Sequence, residues 1–168
     1  MYQIGDQVVY GMHGVCNVAD LEKRNVDGKQ VTYLALEPVS QQGSRYLVPT
    51  HNPAAMAKVR PLLHREDLER IFSFRAEKQE EWIFNEVLRK HRYRELITGG
   101  DFPQLLGMVS SLYRYHKAQS AAGKKMHMCD DNFLRDAEKL LSGEIAVVLD
   151  LSPVDALKYL RNKLKEDA

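Results

Sequence analysis

The sequence predicts an α+β protein in two parts. A small, strongly bent antiparallel sheet or barrel covers residues 1–61, and an all-α part covers residues 62–168. Three observations predict it. Short runs rich in β-branched and aromatic residues, punctuated by Gly and Pro, fill the first sixty residues. From His64 onward, apolar residues recur at the i, i+3, i+4, i+7 spacing of one helix face. Helix start and stop signals punctuate that second part.

The strands come in order. Asp6–Tyr10 is the first, ended by Gly11. Gly14 opens Val15–Leu21, where apolar residues fall mostly on alternate positions, as on a half-buried strand. Asn25-Val26-Asp27-Gly28 is a hairpin turn, because Gly accepts the positive φ that a tight turn demands. Val31–Leu36 is the third strand, Arg45–Val48 the fourth, and Lys58-Val59-Arg60 a short fifth. About sixty residues bury little surface, so such a module is expected to lean on a partner, and its edge strands are sites where another strand can pair.

The helices follow. His64–Phe72 predicts a short one. Ala76–Ile97 predicts a longer one, with Trp82, Ile83, Val87 and Leu88 on its apolar stripe and Thr98-Gly99-Gly100 as its stop. Asp101 is the expected N-cap of the next, with Pro103 in its first turn and Leu105, Leu106, Val109, Leu112, Tyr113 and His116 on one face. Ser120–Gly123 is a loop, and Asp130 or Asp131 is expected to open a fourth helix whose core face includes Phe133, Leu134, Ala137, Leu141 and Ile145. Ser152-Pro153-Val154-Asp155 combines a hydroxyl cap, Pro at the first helical position and an acid three residues after the cap, so the last helix starts there and runs to about Lys165.

Composition narrows the function. Hydrophobic residues make up 44% and charged residues 28%, a globular balance, and no apolar run approaches the ~20 residues of a membrane span. The N-terminus lacks the basic and apolar regions of a signal peptide, and Cys16 and Cys129 lie far apart, which fits two free thiols in a cytoplasmic protein. Charge is unevenly spread. Residues 89–125 hold eight Lys or Arg against two acids, and Phe102–Cys129 holds no acid. Residues 126–168 hold six bases against nine acids. A chain of net charge +1 therefore gathers its positive charge in one segment. This is either the footprint of a polyanionic partner or a helix face balanced by acids elsewhere in the fold.

Catalytic and metal motifs are missing. Ala121-Ala122-Gly123-Lys124-Lys125 has neither the first glycine nor the final Ser or Thr of a phosphate loop. His127-Met128-Cys129 has no second ligand pair at zinc spacing. The six histidines are scattered, and no Gly-x-Ser-x-Gly elbow occurs. No enzyme activity, cofactor or metal is expected. Trp82, the only tryptophan, reads either as a core residue on a helix stripe or as an exposed wedge of the kind that unstacks a base step from the minor groove. In the second case Arg89, Lys90, Arg92 and Arg94, one or two turns along, would hold phosphates.

Ile4-Gly5-Asp6-Gln7-Val8-Val9-Tyr10-Gly11-Met12-His13-Gly14-Val15 resembles the opening "φGDxVVYPxHG" (φ apolar) of the CarD/CdnL family of bacterial transcription regulators. Tyr33–Leu36 and Leu47-Val48-Pro49 resemble that family's next two strands, and Gly100-Asp101 and Leu140–Ala146 its "SGD" and "LxGELA" elements. Transcription-repair coupling factors share the N-terminal module, but the helical second half is not theirs. The resemblance implies a Tudor-like N-terminal barrel that docks on the RNA polymerase β subunit, partly through strand edges. It also implies a helical domain at the upstream edge of melted promoter DNA, with a tryptophan wedged in the minor groove to keep the open complex open.

By position, the resemblance puts Arg24, and Leu47 or its neighbour Arg45, on the polymerase-contacting surface. For DNA it puts forward a tryptophan, here Trp82, beside which the basic segment offers Arg89, Lys90, Arg92, Arg94, Lys124 and Lys125 as candidate contacts. The chain departs from the family in places. Gly11 replaces a proline, Ser110-Ser111 an Arg-Asp pair, and Asp131-Asn132 a basic pair. Trp82 also stands about one helical turn farther from Gly100-Asp101 than the family's tryptophan does from its Gly-Asp. Either the helix is longer here, or Tyr93 or His91 is the nearest flat side chain to the wedge position. The rival expectation is an adaptor that docks on polymerase without touching DNA.

Overall fold

The computed structural model describes residues 1–73 and 81–165. The chain divides into two compact units, Met1–Leu62 and Leu63–Ala168.

The first unit is a five-stranded antiparallel sheet of β1 (Gln7–Tyr10), β2 (Val15–Val26), β3 (Lys29–Pro38), β4 (Tyr46–Pro49) and β5 (Val59–Pro61), in the order β4-β3-β2-β1-β5. β4 and β5 are the two edges, so the expected barrel is instead an open sheet. Pro49 and Pro61 end the edge strands, and a proline has no N–H to offer a further ladder. A short 3-10 turn, Gly11–His13, joins β1 to β2. Gly11 sits at φ +44°, which a proline locked near −65° cannot adopt. Asp27 and Gly28, at φ +51° and +78°, make the two-residue hairpin between β2 and β3. A helical turn, α1 (Pro53–Met56), capped by the Asn52 side chain, leads into β5.

One irregularity decides which residues face the core. Val18 pairs with Leu36 but Asp20 pairs with Ala35, so β2 carries one extra residue, a bulge at Ala19. Before it, Cys16 and Val18 point into the core. After it the phase flips, and Leu21, opposite Leu34, packs inward. Val8, Cys16, Val18, Leu34, Leu36, Val48 and Val59 form the buried cluster of this unit.

The second unit contains α2 (Arg65–Ser73), α3 (Glu86–Gly99), α4 (Phe102–Ala121), α5 (Met128–Leu149) and α6 (Pro153–Lys165). Local signals fix their starts. The Asp101 carboxylate accepts the Gln104 N–H at 3.1 Å, and the Ser152 hydroxyl accepts that of Asp155 at 3.2 Å. The Asn85 side chain accepts the Leu88 N–H at 3.1 Å, so α3 begins at Glu86. Trp82 and Ile83 therefore lie on non-helical chain ahead of it, not on the expected helix, and positions 76–80 of that expected helix are outside the described residues. α5 begins earlier than expected, after His127, and Asp130 is buried inside its first turn instead of capping it.

The core of this unit is built from Phe102, Leu105, Leu106, Met108, Val109 and Leu112 of α4, Ala137, Leu141 and Ile145 of α5, and Ala156 and Leu160 of α6. Two expected faces are corrected. His116 is exposed, and Val87 and Leu88 point to solvent, because α3 is rotated to bury Arg89, Tyr93 and Leu96. Buried Glu138 of α5 accepts from Tyr113 Oη of α4 and from Arg161 Nε of α6 at 2.8 Å, tying three helices together. Buried Glu144 accepts the Leu63 N–H at 3.0 Å at the start of the unit. No helix among the described residues is long and apolar enough to cross a membrane.

Candidate functional site

Each unit presents one surface with more chemistry than packing requires. In the first unit it is the sheet face opposite the core. Side chains directly opposite one another on paired strands share a face. The rows Glu22–Tyr33–Pro49 and Asp20–Ala35–Leu47, with Arg24 paired to Val31, therefore lie on one face. The bulge at Ala19 puts them there, because without it Asp20 would continue the core phase of Val18.

On that face a single carboxylate joins the two expected arginines. Arg24 Nη2 donates to Glu22 Oε2 at 2.9 Å, and Arg45 Nη2 donates to Glu22 Oε1 at 2.9 Å. Arg45 also stands 3.4 Å from Glu37 and 3.7 Å from Asp20, and the Arg24 guanidinium lies 5.9 Å from the Tyr33 ring centre. Leu47 is half-buried in the neighbouring row. The sequence pointed to Arg24, Arg45 and Leu47 but not to Asp20, Glu22, Glu37 and Tyr33. The i, i+2 spacing of Asp20, Glu22 and Arg24 was the readable signal for part of this group. The face is an alternation of both charges around an aromatic ring, not a basic patch. Exposed ion pairs of this kind contribute under about 1 kcal/mol each to folding, so they organise a surface more than they stabilise it.

In the second unit the centre is Trp82, which is neither sealed in the core nor free. Half-buried at the core's margin, it stacks on Tyr115 of α4 with ring centres 3.7 Å apart and planes 8° from parallel. The Arg89 guanidinium carbon lies 4.6 Å from the centre of the Trp82 ring. Arg89 is fixed. Its Nε and Nη2 each donate at 2.9 Å to the two oxygens of Asp130, and its Nη1 donates at 3.0 Å to the Ile83 carbonyl. With 4% exposure, against 0% for Asp130, Arg89 cannot serve as the phosphate contact expected of it.

The remaining expected cations are placed unevenly. Lys90 Nζ holds Glu86 at 2.7 Å, which keeps the Glu86 carboxyl below its ordinary range, and Arg92 stands 4.0 Å from Glu95. Arg94 is exposed, and so are Lys124 and Lys125 in the turn after α4. Of the alternative flat side chains, Tyr93 is buried at 2% exposure beside Phe133, while His91 is exposed and sits 3.1 Å from Glu95. Of the partners that hold Trp82 and Arg89, Tyr115 carried no signal in the sequence, and Asp130 read only as a helix cap.

The described residues hold no cluster of three or more metal-ligating side chains. The Cys16 thiol is buried in the sheet's core, and burial pushes its pKa up to about 11.

Residues 2–61 match the family model described as the CarD-like/TRCF RID domain, a span that takes in all five strands and every residue of the mixed-charge face. The match implies interaction with RNA polymerase. Over those residues the chain is thus similar to CarD-like proteins and transcription-repair coupling factors, which the domain's description names together.

Proposed function

We propose that the protein is a non-catalytic transcription regulator. Residues 1–61 dock on the RNA polymerase β subunit, and the helical unit, residues 62–168, contacts promoter DNA at the edge of the melted region and alters the lifetime of the open complex. The observation that carries the first half is the family match over the sheet whose outer face assembles Arg24, Glu22, Arg45 and Leu47. The acidic and basic groups alternate there, so the docking partner presents both signs of charge, and long-range steering is weak compared with register.

The second half is supported by the exposed cations Arg94, Lys124 and Lys125 beside an acid-free stretch from Phe102 to Cys129. Phosphate contacts of this number give weak, salt-dependent affinity on their own, which the polymerase tether offsets.

The test of docking is affinity for an isolated β-subunit fragment. Arg24→Gln together with Arg45→Gln weakens it at least tenfold with only a small change in Tm, and unchanged affinity removes this face from the interface. A second reading has one observation in its favour: much of the basic run is paired internally, Arg89 with Asp130, Lys90 with Glu86 and Arg92 with Glu95. In that reading the helical unit is a protein-only adaptor. Titration of forked promoter DNA at low salt separates the two, since the adaptor does not bind it.

A further inference from the structure

Arg24 and Arg45 share the proposed docking face through Glu22, but they are not presented alike. Arg45 is surrounded by acids of its own sheet. Its Nη2 stands 2.9 Å from Glu22 and 3.7 Å from Asp20, and its Nη1 stands 3.4 Å from Glu37. One guanidinium thus faces three carboxylates. An acidic group of a partner brought to it would meet an excess of like charge. Arg24 is held from one side only. Its Nε and Nη2 both donate to Glu22 Oε2, at 3.3 and 2.9 Å. Its Nη1 donates to nothing among the described residues, and its side chain is 55% exposed, against 24% for Glu22.

Glu22 stands between the two. Its Oε1 accepts from Arg45 and its Oε2 from Arg24, so each oxygen is committed to one guanidinium. The pair with Arg45 fixes the carboxylate. The carboxylate in turn fixes Arg24, whose guanidinium carbon lies 5.9 Å from the Tyr33 ring centre. Such exposed pairs add little to folding. They do hold a rotamer-rich side chain in one geometry before a partner arrives, so less of its freedom is lost on binding.

We propose that Arg24 is the guanidinium that the polymerase reads, and that Glu22 and Arg45 are positioning residues that hold it without touching the partner. This rests on the docking reading above. It gives different roles to two arginines that the resemblance places on one contacting surface.

The test is a double-mutant cycle on the full chain, read as affinity for the isolated β-subunit fragment at an ionic strength that screens long-range attraction, with Tm recorded for each variant. Arg24→Gln is expected to weaken binding about tenfold, the scale of one lost hydrogen bond from a charged group. Arg45→Gln and Glu22→Gln are each expected to weaken it about threefold, the scale of one side chain left to be ordered on binding. In the Arg24→Gln background neither should cost anything further, because the residue they position is gone.

If Arg45→Gln costs as much without Arg24 as with it, Arg45 touches the partner, and the inference is overturned while docking through this face stands. The same holds if Arg24→Gln leaves affinity unchanged while Arg45→Gln weakens it. It holds again if Arg24→Gln weakens binding and the other two variants leave it unchanged or tighten it. If none of the three changes affinity, the inference and the docking face both fall.

Discussion

Arg89 and Asp130 form a two-pronged ion pair across 41 residues of sequence, each prong 2.9 Å long, and the pair is almost completely withdrawn from solvent. It joins α3 to the first turn of α5. The same guanidinium holds the Ile83 carbonyl and lies against Trp82, so one buried cation sets the entry of α3.

Breaking this pair is expected to be costly. Arg89→Ala leaves the Asp130 carboxylate buried without a counter-charge, and a loss of about 3–5 kcal/mol in urea unfolding is expected. Replacing both partners, Arg89→Met with Asp130→Leu, should regain most of it, since neither charge is then stranded. A loss below about 1 kcal/mol for Arg89→Ala would mean that the pair is not buried in solution.

Trp82 is the only tryptophan, so its emission reports on the stack alone. Tyr115→Ala uncovers one face of the indole. The expected result is a red-shifted spectrum and faster acrylamide quenching, with a stability loss of about 1–2 kcal/mol from the missing ring pair and its buried area.

Tyr113 supplies a pH signature. Burial first, then its hydrogen bond to the Glu138 carboxylate, raises the phenol well above its ordinary value of 10.0. A raised folded-state pKa means that the folded chain holds the proton more tightly than the unfolded chain. The stability this contributes is complete below pH 10 and fades as pH climbs above it. Stability should therefore decline above pH 10, and Tyr113→Phe should flatten that decline while costing about 1 kcal/mol at neutral pH. An unchanged alkaline limb in the Phe variant would rule this out.

Thiol reactivity should divide the two cysteines. Cys16 is fully buried and its thiol is pushed up to about 11, so it is both inaccessible and protonated at neutral pH. Cys129 is partly exposed beside Glu86, at 3.8 Å. Alkylation under native conditions should therefore label Cys129, and Cys16 only as the sheet unfolds.

How much of this was readable depends on whether the signal was local. The Asp27-Gly28 hairpin, the Asp101 cap and the Ser152-Pro153 start are written within four residues and were legible. The inward face of α3 was not. Its buried position is filled by an arginine whose counter-ion lies on another helix, so the apolar pair Val87 and Leu88 suggested the wrong side. The start of α3 was missed because an apolar stripe through Trp82 outweighed Asn85, a cap with no periodic mark. The small barrel was expected from five short strands and tight turns, yet closure depends on pairing between edges that local sequence does not encode. At the candidate site, Arg24 and Arg45 were found one residue at a time, while Glu22, which joins them, shows only in three dimensions.

The extra residue at Ala19 has a consequence for how this surface tolerates change. Because Ala19 is the unpaired residue, deleting it would still leave Asp20 opposite Ala35 and Glu22 and Arg24 outward, whereas deleting Leu21 would alter no charged residue and yet turn Glu22 and Arg24 toward the hydrophobic interior, with Lys23 outside. The outward chemistry of the sheet is thus encoded in a count as much as in a composition. Point substitutions along β2 should be absorbed far more readily than a single insertion or deletion after the bulge.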